Sequence, residues 1–177
     1  MVNLGMEKKP TRAVFLDRDG VILPDKGHLL TVDAMTVTRR VATCLKELRE
    51  AGYLLIVVTN QSAIGYGWLT FGTLNAIHAK MQKELQRGGA YIDAIYTCPH
   101  TAQDGCLCRK PKPGLFKQAI VEYNIDASRS WMIGDRHSDI AAGHNIGAWS
   151  LLVQSPDDLE KAVKSILAIS DILAAKI

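Results

Sequence analysis

The sequence predicts an α/β protein, a Rossmann-like doubly wound parallel sheet, on three observations. Short apolar runs alternate with stretches of helical periodicity along the chain. The second of these runs is continuous rather than alternating, the look of a strand buried on both faces. Three of the runs end in residues that carry chemistry, and the carboxyl ends of parallel strands are where open α/β sheets bind ligands. A length of 177 residues suits one domain, and no internal repeat, linker or low-complexity tract divides it. A single domain over 1–177 is expected, with a polar N-terminal tail at 1–12.

Ala13 to Asp17 (AVFLD) is the first strand, an apolar run ending in charge. Val41, Leu45 and Leu48 recur at helical spacing, and Gly52 stops that helix. Leu54 to Val58 (LLIVV) is the second strand. Thr70 caps a helix with apolar positions Leu74, Ile77, Met81 and Leu85, and Gly88-Gly89 ends it. Ile92 to Thr97 is the third strand, and Leu115 to Tyr123 is a helix opening after Pro113-Gly114. Ser130 to Gly134 (SWMIG) is the fourth strand; a small-residue helix follows through Ala141 and Ala142, and Ala148 to Val153 is the fifth strand. Ser155-Pro156-Asp157-Asp158 starts the last helix, with a capping serine, a proline at the first helical position and an acid at the third. Its apolar face runs through Leu159, Val163, Ile166 and Leu167 toward Ile172 and Leu173. That face packs on the sheet, or in its excess length serves a partner.

Hydrophobic residues make up 47% of the chain and charged residues 22%, a mix that fills a core and excludes disorder, collagen and coiled coil. A formal charge of +3 calls for neither nucleic acid nor a membrane as partner. The longest uninterrupted apolar run, Tyr53 to Val58, is far below the ~20 residues of a membrane-spanning helix. Met1 to Arg12 lacks the apolar stretch of a secretory signal, so a cytoplasmic protein is expected.

Asp17-Arg18-Asp19-Gly20 closes the first strand. Residues i and i+2 of an extended chain point the same way, so Asp17 and Asp19 can both face the crevice beyond the sheet. Gly20 lets the chain turn away sharply. Close carboxylates repel, which favours a shared proton or a divalent cation. Alone, such a turn reads better as solvated acid. The second strand, however, ends in Thr59-Asn60-Gln61-Ser62, hydroxyls and amides suited to a phosphoryl oxygen. The fourth ends in Gly134-Asp135, with Asp139 four residues on. Asp135 can join Asp17 around a hard cation while Asp139 orients its neighbours. Mg²⁺ suits such a site, since it takes few carboxylates, retained waters and a substrate phosphate.

Between the third strand and the next helix lies one long irregular stretch, Cys98 to Gly114. Cys98, His100, Cys106 and Cys108 supply three thiolates and one imidazole, a complete tetrahedral set for structural Zn²⁺ at 98–108. Free thiols in a mobile loop are one alternative, and a catalytic zinc the other, which a set with no ligand missing for water argues against. Arg109 and Lys110 follow the last ligand directly. A metal-pinned loop would aim both: Arg109 can fork onto a second phosphate or a sugar, and Lys110 acts as a point charge.

These motifs together resemble the haloacid dehalogenase (HAD) superfamily of phosphohydrolases: D-R-D-G at Asp17 to Gly20, V-T-N-Q-S at Val58 to Ser62, R-K-P-K-P-G at Arg109 to Gly114, and G-D-R-H-S-D at Gly134 to Asp139. The resemblance spans roughly residues 13 to 153. It implies the HAD fold with a minimal cap, and a covalent mechanism. Asp17 would attack phosphorus to form an aspartyl-phosphate, and Asp19 would serve as general acid and then base. Mg²⁺ would be held by the carboxylates of Asp17 and Asp135 and the backbone carbonyl of Asp19. Thr59 and Lys110 would hold the phosphoryl oxygens. The metal loop narrows the resemblance to the short-capped branch of heptose bisphosphate and histidinol-phosphate phosphatases. R-K-P-K-P-G and Q-S-x-I look more like the heptose side, but the gap from His100 to Cys106 does not separate them.

The substrate expected from this likeness is a small phosphorylated sugar, heptose 1,7-bisphosphate losing its 7-phosphate, with histidinol phosphate as the alternative and a monomer as the assembly. Substrate contacts are expected at Asp25, Lys26, Gly27 and His28, where the family often reads D-x-G-Y. Asn60, Gln61, Ser62, Arg109 and Arg136 complete them, Arg136 standing where a lysine is common. A protein that only binds phosphate is the other class, and the intact carboxylates argue against it. Cys44, Trp131 and Trp149 read as core, and His78 as a packing or surface residue. His137 reads as site-lining or as a solvated helix start. Tyr66 and Trp68 lie in a loop near the crevice where they could touch substrate.

Overall fold

A computed structural model describes residues 9–174. Five strands form one parallel sheet: β1 (Arg12–Leu16), β2 (Tyr53–Asn60), β3 (Ala94–Cys98), β4 (Trp131–Gly134) and β5 (Trp149–Leu152), in the order β3-β2-β1-β4-β5. β1 lies at the centre, paired with β2 and β4, and the order reverses beside it. The helices are α1 (Arg39–Glu50), α2 (Ser62–Gly65), α3 (Phe71–Arg87), α4 (Gly114–Tyr123), α5 (His137–Asn145) and α6 (Leu159–Ala174). The expected doubly wound class is therefore observed.

Both faces of the sheet are covered. Val14 and Leu16 of β1, with Leu55 and Val57 of β2, meet Leu45, Leu74 and Val163 from α1, α3 and α6. Ala13, Phe15, Ile56 and Val58 turn to the other face, against Phe116 and Ala119 of α4 and Ala142 of α5. Successive strand residues point to opposite faces, so a strand between two helical layers must be apolar at every position. The helices begin where local chemistry allows. The Thr38 and Thr70 hydroxyls accept the backbone N–H of Val41 and Thr73 at 3.3 and 3.1 Å, satisfying donors that the first helical turn leaves free.

Several expectations change. Of the tail at 1–12, residues 1–8 lie outside the described residues, and Thr11 and Arg12 are structured: Thr11 bridges to Ile125 and Arg12 opens β1. Ile92 is buried but precedes β3. Trp149 is 54% exposed rather than core, because β5 is an edge strand paired only with β4, whereas Trp131 is buried. At the last helix, Pro156–Asp158 form a 3₁₀ turn, and Asp158 accepts from the Gln154 N–H rather than closing a box with Ser155, whose side chain caps nothing. Ile172 and Leu173 are exposed, so the apolar face of α6 packs only as far as its middle turns. Among the described residues no helix is long and apolar enough to cross a membrane.

Candidate active site

The carboxyl ends of β1, β2 and β4 meet at a cavity of about 300 Å³. Asp17 follows β1, and its N–H extends the pairing by donating to Ile133 O at 3.0 Å. Gly20 turns the chain with φ +83°; a Cβ there would lie 2.3 Å from Asp135 Oδ2, so only glycine lets the first and fourth strand ends approach this closely. Gly134 is equally constrained, an added Cβ falling 2.1 Å from Asp139 Cβ.

One carboxylate oxygen each from Asp17, Asp135 and Asp139 can be chosen so that all lie within 4.8 Å of one another. Lys110 enters from the far side, fully buried. Its Nζ is 2.9 Å from Asp17 Oδ1 and 2.8 Å from Asp139 Oδ1, and it donates to Val58 O at 2.7 Å. Burial alone would lower the Lys110 pKa, but the two carboxylates raise it above the ordinary lysine value, so the ammonium persists. Three carboxylates meet the buried Lys110 ammonium and, at 3.9 Å from Asp135, the exposed Arg136 guanidinium, so negative charge is in excess, which a cation would offset. Asp135 registers that excess: burial, then the Asp17 and Asp139 carboxylates, push its pKa up to about 6. Its Oδ1 is buried without a hydrogen-bond partner. A buried, unpartnered carboxylate oxygen on a residue clustered with two other carboxylates fits a hard cation, which takes oxygen ligands of this kind. Asp139 was expected to orient its neighbours. It does so by accepting the Arg136 N–H at 3.0 Å, and it also joins the carboxylate cluster.

Arg18 is the residue that sequence reasoning missed. Its side chain is fully buried. It grips Asp19 through Nε and NH2, donates to Gln61 Oε1 at 2.9 Å, and meets His78 Nε2 at 3.2 Å. Gln61 Nε2 in turn donates to Asp19 Oδ2 at 2.8 Å and Thr59 Oγ1 at 2.9 Å. Burial, then the neighbouring Arg18 charge, push the His78 pKa down to about 4, leaving a neutral ring able to accept from the guanidinium. His78 is thus part of this network rather than mere packing. Arginine flanked by aspartates in the first motif gave no sign of this, because the partners come from the turn after β2 and from α3.

The Asn60 side chain is spent on the backbone of Lys110. Its Oδ1 accepts the Lys110 N–H at 3.1 Å and its Nδ2 donates to Lys110 O at 3.3 Å. The amides of Asn60 and Gln61 therefore serve as internal braces. Asp19, Asp25, Gly27, His28, Asn60, Gln61, Ser62, Arg109 and Arg136 all line the cavity. Asp25 is held by the Gly27 N–H at 2.9 Å and by Arg136 NH2 at 2.9 Å. Lys26 is exposed and outside the lining, as is His137 at the start of α5.

Cys98, at the end of β3, gathers with His100, Cys106 and Cys108 so that their ligand atoms lie within 4.8 Å. Cys98 Sγ is 2.9 Å from Cys108 Sγ and 3.6 Å from Cys106 Sγ, and His100 Nδ1 is 3.1 Å from Cys108 Sγ. These thiols are unbridged, since a disulfide holds its sulfurs at about 2.05 Å. Tetrahedral Zn²⁺ would set its sulfurs about 3.8 Å apart. Burial pushes the Cys98 thiol up, whereas at Cys106 the neighbouring thiols and backbone N–H groups outweigh burial and bring it down to about 7. Lys112 Nζ donates to Gly105 O and Cys106 O at 2.8 and 2.7 Å, and Arg109 NH1 donates to His100 O at 3.1 Å, so the loop is tied down on both sides.

A protein from Neisseria meningitidis serogroup A named D-glycero-beta-D-manno-heptose-1,7-bisphosphate 7-phosphatase is 38% identical over 143 residues, covering 80% of this chain and 76% of its own. The chain belongs to the HAD-like phosphatases. A HAD-hydrolase-like family model matches residues 107–175. A Helicobacter pylori protein of the same name is 38% identical over 148 residues, 82% of this chain and 86% of its own. The solved D,D-heptose 1,7-bisphosphate phosphatase of B. bronchiseptica, complexed with magnesium and phosphate, superposes with a TM-score of 0.78 at 29% identity, covering 94% of this chain and all of that one. As a member of this family the chain is a phosphoric monoester hydrolase.

Proposed function

We propose that this phosphatase removes the 7-phosphate from D-glycero-β-D-manno-heptose 1,7-bisphosphate, leaving heptose 1-phosphate. The relatives so named support the substrate. The observation that carries the chemistry is the convergence of Asp17, Asp135 and Asp139 beside buried Lys110, with Asp135 Oδ1 left unpartnered.

Asp17 attacks phosphorus, and the bond between phosphorus and the leaving oxygen breaks. Asp19 protonates that oxygen as it departs. Asp19 then takes a proton from water, which cleaves the aspartyl-phosphate and restores the Asp17 carboxylate. Arg18 and Gln61 hold the Asp19 carboxylate toward the cavity, and His78 holds Arg18. Lys110 and the Thr59 hydroxyl bind phosphoryl oxygens as charge moves onto them. Asp17, Asp135 and the Asp19 carbonyl would hold Mg²⁺, whose charge lets an anionic nucleophile meet an anionic phosphate. Arg109, His28, Asp25 and Arg136 face the sugar and its second phosphate. Cys98, His100, Cys106 and Cys108 would hold a structural Zn²⁺ that fixes where Arg109 and Lys110 point.

The test offers purified protein with Mg²⁺ the two anomers of heptose 1,7-bisphosphate and histidinol phosphate. Phosphate release is measured and the product read by phosphorus NMR. Preference for the β-heptose with the 1-phosphate retained is expected. Preference for histidinol phosphate would overturn the sugar assignment.

A further inference from the structure

Beside His28, a residue of the cavity lining, Tyr66 and Trp68 are 44% and 57% exposed. Exposed aromatics on a loose loop would mean little, but the backbone beneath these is fixed. The N–H groups of Tyr66, Gly67 and Trp68 donate to Ser62 O, Ile64 O and Ala63 O at 3.0, 2.9 and 2.8 Å. Gly65 N–H donates to Pro99 O at 2.9 Å, in the metal loop, and a Cβ on Gly65 would crowd that same oxygen at 2.9 Å. Leu69, next in the chain, is buried as an anchor.

The rings are also arranged. Tyr66 and Trp68 lie with centroids 4.7 Å apart and planes 31° from parallel. His28 meets Trp68 edge-on, 5.2 Å away at 75°, and Tyr66 at 6.2 Å and 74°. His28 lines the cavity, and so does Ser62, the first residue of α2. The two rings thus stand against the cavity wall through His28. Below them the wall is polar, with Asp17, Asp19, Lys110 and Arg109 placed for phosphate and hydroxyl groups. A sugar ring carries one face rich in C–H bonds, and a π face attracts C–H edges. Binding sites pair a few placed polar groups with apolar and aromatic lining of this sort.

We propose that Tyr66 and Trp68, braced by His28, form a shelf for the C–H face of the substrate's sugar ring. These residues then determine specificity for the leaving group, while the phosphate chemistry lies below them. The inference rests on the sugar-phosphate reading above.

The test compares wild type with Trp68→Ala and Tyr66→Ala on heptose 1,7-bisphosphate and on acetyl phosphate, which has no ring. The ratio of kcat/KM for the bisphosphate to that for acetyl phosphate should fall about tenfold in each variant, mostly through KM, since an aromatic contact of this kind contributes that order. Trp68→Phe should recover most of the ratio. An unchanged ratio, whether both activities hold or fall together, overturns the shelf. A wild-type protein that hydrolyses acetyl phosphate but not the bisphosphate overturns the substrate reading and the shelf with it. Binding gives an independent readout. In Asp17→Asn, adding the bisphosphate should change tryptophan fluorescence, and Trp68→Phe in that background should abolish the change. A change that survives the substitution counts against the shelf.

Discussion

Replacing Lys110 with methionine should destabilise the protein by about 3–5 kcal/mol, the usual cost of removing one partner from a buried ion pair. Methionine fills similar space but leaves Asp139, itself 1% exposed, without its cation at 2.8 Å, and leaves Asp17 without its contact at 2.9 Å. With a urea slope of about 2 kcal/mol per molar, the unfolding midpoint should drop by roughly 2 M. The penalty has a direction in pH. Burial and Asp17 already raise the Asp139 pKa against the pull of Lys110, and losing Lys110 raises it further. A group whose folded pKa lies above its unfolded one is destabilising as a charged form. The loss should therefore be largest at high pH and shrink as pH falls through the raised pKa. Urea unfolding of both proteins at pH 5 and pH 8, without added metal, measures this. A midpoint shift under about 0.5 M at pH 8, or a larger shift at pH 5, would refute the charge-compensation argument.

Other outcomes follow from the same geometry. Asp17→Asn should cut turnover to below about a thousandth of wild type while leaving the unfolding midpoint near or above it; residual turnover of a tenth would remove Asp17 as nucleophile. Gly20→Ala should lower both stability and Mg²⁺ affinity, because the new Cβ meets Asp135 Oδ2 at 2.3 Å in a backbone of φ +83°; calorimetric Mg²⁺ titration equal to wild type would contradict this. His78, with a folded pKa of about 4 against 6.5 for a free imidazole, contributes stability that is present above pH 6.5 and lost as pH falls toward 4. His78→Gln should flatten stability across that window, and an unaltered pH profile of unfolding would speak against a buried neutral imidazole. Cys106→Ser should lower zinc content from about one per chain and weaken substrate affinity; normal metal and normal KM would refute a structural zinc.

Much of the fold was legible because its signals are local. Continuous apolar runs such as Leu54 to Val58 need only a parallel sheet with two covered faces, and the Thr70 cap needs only the three residues after it. The D-x-D-G turn and the Cys and His spacing were likewise local, and the fold brings these residues together. What escaped depends on partners distant in sequence. Arg18 reads as an ordinary charged residue until Gln61 and His78, 43 and 60 positions away, arrive against it. That the Asn60 and Gln61 amides also brace Lys110 and Asp19 was hidden, because those partners belong to other segments. Trp149 looked like core because a strand's place in the sheet order, here at the edge, is a property of the whole topology.

Two adjacent residues at the tip of β2 hold both ends of the metal loop: Gln61 N–H donates to Cys98 O at 2.7 Å, and the Asn60 amide bonds the N–H and C=O of Lys110. The span between the metal ligands, 101–105, can therefore change without releasing the lysine that serves the reaction, so long as His100 and the cysteines that aim it remain. Drift in that span leaves the reacting carboxylates, which stand at the ends of other strands, where they are.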